Sequence, residues 1–119
     1  MKNILVPMDF SEVSVNALRY AYEMFPQANL HIVHASAPVV ATDESFYYTS
    51  VLNTVAEINA ELEKIIQLEF KTDQIPERMT IHILRSEIIP AIKAYVKDNE
   101  LDAMVIGSRD KYDFFDKWV

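Results

Sequence analysis

The chain has 119 residues, half of them hydrophobic, a net charge of −7 at pH 7, no cysteine and a single glycine. That length suits one domain, residues 1–119, with a core of its own. The acidic balance argues against nucleic acid or an anionic membrane surface as partner, and the absence of cysteine excludes disulfides, thiolate catalysis and cysteine-held metal. The first apolar run, about four residues, is far shorter than the roughly seven to fifteen of a secretory signal. No stretch approaches the roughly twenty apolar residues of a membrane span. A cytoplasmic location is the expectation.

Ile4-Leu5-Val6 is apolar without alternation, as in a strand buried on both faces of a parallel sheet. Pro7 has no N–H and stops ladder pairing. Met8-Asp9-Phe10 then forms an exit loop, and Ser11 caps a helix over 12–25 whose apolar face is Val13, Ala17, Leu18, Ala21, Tyr22 and Phe25. Pro26 breaks that helix. Residues 30–35, Leu-His-Ile-Val-His-Ala, read as a second strand. Pro38 opens a loop over 39–44.

Residues 46–70 carry the longest helical periodicity, with Val51, Val55, Ile58, Leu62 and Ile65 as the stripe and Leu52, Ile66 and Leu68 beside it. Met79-Thr80-Ile81-His82-Ile83-Leu84 alternates more than the other strands and is expected near a sheet edge. Ser86 is expected to cap a third helix, with Glu87 and Pro90 in its first turn and Ile89, Ile92, Tyr95 and Val96 on its apolar face. Residues 101–106 form a fourth apolar strand, followed by Gly107-Ser108-Arg109-Asp110. Asp110 is placed to cap a last helix in which Phe114 and Trp118, and Phe115 and Val119, pair at i and i+4.

Strands alternating with helices predict an α/β fold: a doubly wound parallel sheet between two helical layers. In such sheets ligands bind at the strand carboxyl ends. Here that places the site around Asp9, residues 35–40, Arg85 and residues 107–109.

These residues resemble the universal stress protein family along the whole chain. The resemblance rests on Ile4 to Glu12 with Asn16-Ala17-Leu18, on Leu30 to His34, and on Leu101 to Arg109. It implies a Rossmann-like sheet, similar to that of the adenine nucleotide alpha hydrolases, in order 3-2-1-4-5. The fifth strand would fall past residue 119, leaving order 3-2-1-4 and an open fourth-strand edge. It also implies a homodimer, or another protein partner at that edge, and a role in stress response. One branch of the family binds ATP and another does not.

In the ATP branch an Asp follows the first strand and a G-x2-G-x9-G-[ST] loop holds ribose and phosphates. Asp9 matches the first and Gly107 the first glycine, but Asp110 stands where the second glycine belongs, and the third would come after Val119. Carried over, the candidate nucleotide-binding residues are Pro7, Met8, Asp9, Val39, Ile106, Gly107, Ser108 and Arg109, with ATP or AMP and Mg2+ as the implied ligand; the residues by themselves assign no cofactor. Two unit charges at ~4 Å repel by ~4 kcal/mol at an effective dielectric near 20. Asp110 beside a phosphate therefore costs about three decades in affinity unless Mg2+, Arg109 or Lys111 offsets it.

The expectation is a non-enzymatic stress-response module acting by dimerisation or partner binding, with a degenerate nucleotide pocket. The alternative is an ATP- or AMP-binding protein using Asp9 and the Gly107 loop, and slow ATP hydrolysis stays open under both. The bland reading of Asp9 is a loop acid that caps the first helix or accepts local backbone N–H groups. His31 and His34 sit three apart on a strand and point to opposite faces, which argues against a shared metal; His82 stands alone. Arg85 and Arg109 could receive an anion or form surface ion pairs. Ser108 lies outside any G-x-S-x-G elbow and has no assignable His–acid pair, and a phospho-accepting receiver domain lacks its acidic pair and its Asp after the third strand.

Overall fold

The computed structural model describes residues 2–35 and 55–107. The elements are β1 (Asn3–Pro7), α1 (Glu12–Met24), β2 (Asn29–Ala35), α2 (Val55–Phe70), β3 (Met79–Leu84), α3 (Ile88–Asp98) and β4 (Ala103–Met104). The strands form one all-parallel sheet in order β3-β2-β1-β4. The unalternating run of β1 is explained by its place. Ile4, Leu5 and Val6 are fully buried between β2 and β4. Ile4 and Val6 pack with α1 and α2 on one face, and Leu5 packs with α3 on the other.

Ser11 caps α1, its hydroxyl accepting from Ser14 N–H at 3.1 Å. Ala17, Leu18 and Ala21 are buried, while Val13, Tyr22 and Phe25 are only half-buried. On α2 the buried line is Ile58, Leu62 and Ile66, strictly i+4. Val55, expected on the stripe, and Leu68, expected beside it, are 47% and 71% exposed. Four-residue steps hold a narrow line against β3, and the wider stripe read from the sequence turns past it. Val51 and Leu52 lie outside the described residues.

Arg78 ties this layer together. Its guanidinium donates to the Phe25 and Ala28 carbonyls at 2.9 Å and to the Tyr22 carbonyl at 2.8 Å, and lies 4.1 Å from the centre of the Tyr22 ring. One carbonyl in the last turn of α1 and two just past its end are thus gathered by one planar fork, a geometry that lysine lacks.

Two other boundaries differ from the sequence reading. The N-cap of α3 is Glu87, with no side-chain bond to the helix, so neither Ser86 as cap nor Glu87 as a first-turn residue stands. The helix buries Ala91 and Tyr95, leaving Ile89 61% exposed. The fourth strand shrinks from the expected 101–106 to two residues, and Pro7 is the reason. Odd-numbered β1 residues face β4: the Asn3 carbonyl accepts from Asp102 N–H at 2.8 Å and the Leu5 carbonyl from Val105 N–H at 2.9 Å. The next rung needs an N–H from residue 7, which proline lacks. On the other side the ladder runs one residue further, with Met8 N–H donating to the Val33 carbonyl at 2.8 Å. At the opposite end, Asp102 Oδ2 accepts from the amides of Lys2 and Asn3 at 2.8 and 2.9 Å, which fastens β4 to the start of β1. The expected loop over 39–44, the start of the long helix at 46–54 and the helix after Asp110 lie outside the described residues.

Candidate functional site

The carboxyl ends of β1 and β4 lie side by side, with the first turn of α1 between them, and enclose a cleft of ≈ 190 Å³. Pro7, Met8, Asp9, Ile106 and Gly107, all expected at the site, line it. Val39, Ser108 and Arg109 lie outside the described residues. Arg85 is exposed on the approach to α3 and is not among the lining residues. Ser11, Val13, Ser14, Val33 and Ile88 complete the walls together with Ala35.

Asp9 is the charged residue among these described walls. Its Oδ1 accepts from Ser11 N–H at 2.9 Å and also, at short range, from the Ser11 hydroxyl. These bonds, the side-chain one first, hold its carboxyl below the usual carboxylate range. The local reading of Asp9 is therefore the one realised at Oδ1. The carboxylate therefore sits just before the N-terminus of α1, bonded to its cap residue. Ser14, buried and not anticipated, donates its hydroxyl to the Ser11 carbonyl at 2.8 Å and lies 3.1 Å from Met8 Sδ.

The loop is held from behind. The Met8 carbonyl accepts from His34 Nδ1 at 2.7 Å, and the Phe10 ring meets the His34 ring edge-on at 4.9 Å between centroids. Phe10 takes φ 69°, a left-handed conformation costly for an aromatic residue and kept only where surrounding contacts enforce it. No sequence signal marks this position. The His34 contact follows from register: Pro7 pairs with Val33, so the next residue of β2 meets the loop.

Gly107 serves a purpose other than approach to a ligand. A Cβ there would fall closest to the Val13 carbonyl oxygen, 2.5 Å from Val13 Cγ1 and 2.7 Å from Val13 C. The lone glycine lets the strand exit pass against the first turn of α1. On the far side of the sheet His31 faces Tyr95, so His31 and His34 point to opposite faces. His82 is not alone, its ring stacking on that of His31. Among the described residues no group of three His, Asp or Glu could hold a metal ion, and no helix is long and apolar enough to cross a membrane.

The family model for universal stress proteins matches residues 1–116. The chain belongs to the universal stress protein family. That makes it a member of a family of stress-response proteins. Solved structures share its fold. The universal stress protein UspA from Lactobacillus plantarum superposes with a TM-score of 0.67 at 20% identity, over 92% of this chain and 80% of that one. A universal stress protein from Archaeoglobus fulgidus gives 0.61 at 22% identity, over 96% and 80%. A family member from Arabidopsis thaliana with AMP bound gives 0.58 at 15% identity, over 92% and 78%. Comparison with curated proteins returns no match.

Proposed function

We propose that this chain is a regulatory module of the stress response that works through dimerisation or partner binding and whose nucleotide pocket has degenerated. The observation that carries the proposal is the state of Asp9. Its Oδ1 is committed to Ser11 at the N-cap of α1, so half of the carboxylate that would read a base is already taken within the chain. Four further facts support it. No Lys or Arg is among the described walls of the cleft, and those walls enclose less than the roughly 300 Å³ at which small-molecule sites usually begin. The glycine that would admit a phosphate to the backbone is packed against Val13. Asp110 adds a negative charge at the position where the family's loop has its second glycine. The outer edge of β4, which pairs with no strand among the described residues, is the surface proposed to meet the partner.

A second reading keeps nucleotide binding, because Pro7, Met8, Asp9, Ile106 and Gly107 do converge on one cleft and a structural relative carries AMP. In that reading the apolar walls take the base, Asp9 Oδ2 its polar edge, and Mg2+ offsets the acid. Calorimetric titration with ATP and with AMP, each with and without Mg2+, separates the two. The first reading expects no heat of binding at micromolar nucleotide, and a micromolar Kd overturns it in favour of the second. Sedimentation of the same sample tests the assembly: a monomer at all concentrations, retained when the partner edge is altered, would remove the dimer.

A further inference from the structure

We propose that His31, His82 and Tyr95 form an acid-sensitive latch that holds α3 on the sheet, and that protonating the two imidazoles releases the helix and loosens the cleft it borders. Tyr95 anchors α3, only 8% exposed and packed with Leu5 and Val33. His31 lies with Nδ1 2.8 Å from the Tyr95 hydroxyl and Nε2 3.2 Å from Asn3 Oδ1. An amide oxygen only accepts, so Nε2 carries the proton and the bare Nδ1 accepts the phenol O–H. The His82 ring stacks on His31 with centroids 5.8 Å apart and planes 16° from parallel, and it lies 5.0 Å from the Tyr95 ring. Its Nε2 is 3.1 Å from the Thr80 hydroxyl.

Protonating His31 puts an N–H where the phenol proton points. The phenol cannot yield by ionising, because burial pushes it up to about 12. It must turn, and its proton loses a shielded acceptor. A second proton on His82 sets a like charge against the first. The surroundings offer little compensation. β1, β2 and β3 contain no Asp, Glu, Lys or Arg. β1 presents the neutral Asn3 amide, and β3 presents Thr80 and His82. On α3 the charged residues Lys93, Lys97 and Asp98 are exposed, and Asp102, bonded to the Asn3 amide, is exposed too. Burial holds both imidazoles below the ordinary histidine range, and His82 adds to the effect at His31.

The sign follows from linkage. A histidine depressed in the folded state contributes its full stability above its unfolded pKa of ~6.5 and loses it as pH falls toward the folded value. The cleft feels the release because Ile88, at the start of α3, is one of its walls and because α3 leads into β4, Ile106 and Gly107.

Hydrogen exchange of the full chain tests the latch, reading the opening of residues 88–98 relative to the histidine-free residues 55–70. Exchange is followed from about pH 7.5 to about pH 5.5 after correction for intrinsic rates. The wild-type ratio should rise with acid by up to about a hundredfold per pH unit at its steepest, and His82→Gln should cut this to at most about tenfold. Tyr95→Phe should open α3 more at neutral pH and flatten the dependence. A pH-independent wild-type ratio, or a His82→Gln slope equal to wild type, overturns the proposal. Should His82→Gln fail to fold, proton NMR of the wild type decides. Imidazole midpoints below ~6.5 that move the Tyr95 ring signals support the latch, and midpoints at or above that value refute it. No nucleotide enters these readouts, so they stand or fall apart from the pocket.

Discussion

Replacing Gly107 by alanine isolates the contact between the β4 exit and α1. The added methyl carbon would sit 2.5 Å from Val13 Cγ1, 2.7 Å from Val13 C and closer still to the Val13 carbonyl oxygen. Ordinary contact begins near 3.4 Å, so about an ångström of separation must be found. A side chain alone cannot yield it, because two of the three atoms are helix backbone in the first turn of α1. Overpacking of this kind costs ~1–3 kcal/mol, and a rigid backbone obstacle places it near the top of that range. The substitution also restricts the unfolded chain, which returns ~0.4–1 kcal/mol because no positive φ is required at this glycine. The net expectation is a loss of about 2 kcal/mol, up to about thirtyfold in the folding equilibrium. Urea denaturation checks it: the midpoint should fall with an unchanged m-value. A loss below about 0.5 kcal/mol would show that the exit strand slides away freely and that Gly107 is not fixed by Val13.

Asp9→Ala should cost about 1 kcal/mol at neutral pH through loss of the Ser11 bonds. Because the folded carboxyl is depressed from 3.8, its contribution is complete above that pH and lost below it. The stability difference from wild type should therefore vanish in acid; a difference that persists there would contradict the assignment. Arg78→Lys keeps the charge but not the fork to Tyr22, Phe25 and Ala28, and should cost ~1–3 kcal/mol by chemical denaturation. An unchanged midpoint would show the three carbonyls to be indifferent to it. Leu62→Ala, at a fully buried site on α2, should cost ~2–5 kcal/mol by the same assay, and a smaller loss would mean that α2 collapses into the space.

The fold was legible because burial on both faces writes itself into β1 as an unbroken apolar run, while the edge position of β3 writes itself as alternation. The elements in sequence then left a doubly wound parallel sheet, and the order implied by the family resemblance is the one found. What failed to read through was set by partners remote in sequence. The length of β4 depends on a missing N–H at Pro7, and the turn of α2 toward β3 decides that Ile66 is buried and Val55 exposed. At the site the sequence supplied Asp9, with its local backbone bond as one of two readings, and Gly107, but not the contact of Gly107 or the support behind the loop. Asp9 spends Oδ1 on Ser11, Gly107 accommodates Val13, and His34 reaches Met8 only through the parallel register of β1 and β2. The same register stacks His82 beside His31, where each histidine looked solitary in the chain.

The most direct test is an amide NMR titration of the intact chain with ATP and with AMP in the presence of Mg2+, following Asp9, Ser11 and Gly107. An Asp9 committed to Ser11 and a Gly107 packed against Val13 predict small shifts at these residues that do not saturate below millimolar nucleotide. Large shifts at the same three amides, saturating at micromolar nucleotide, would contradict it.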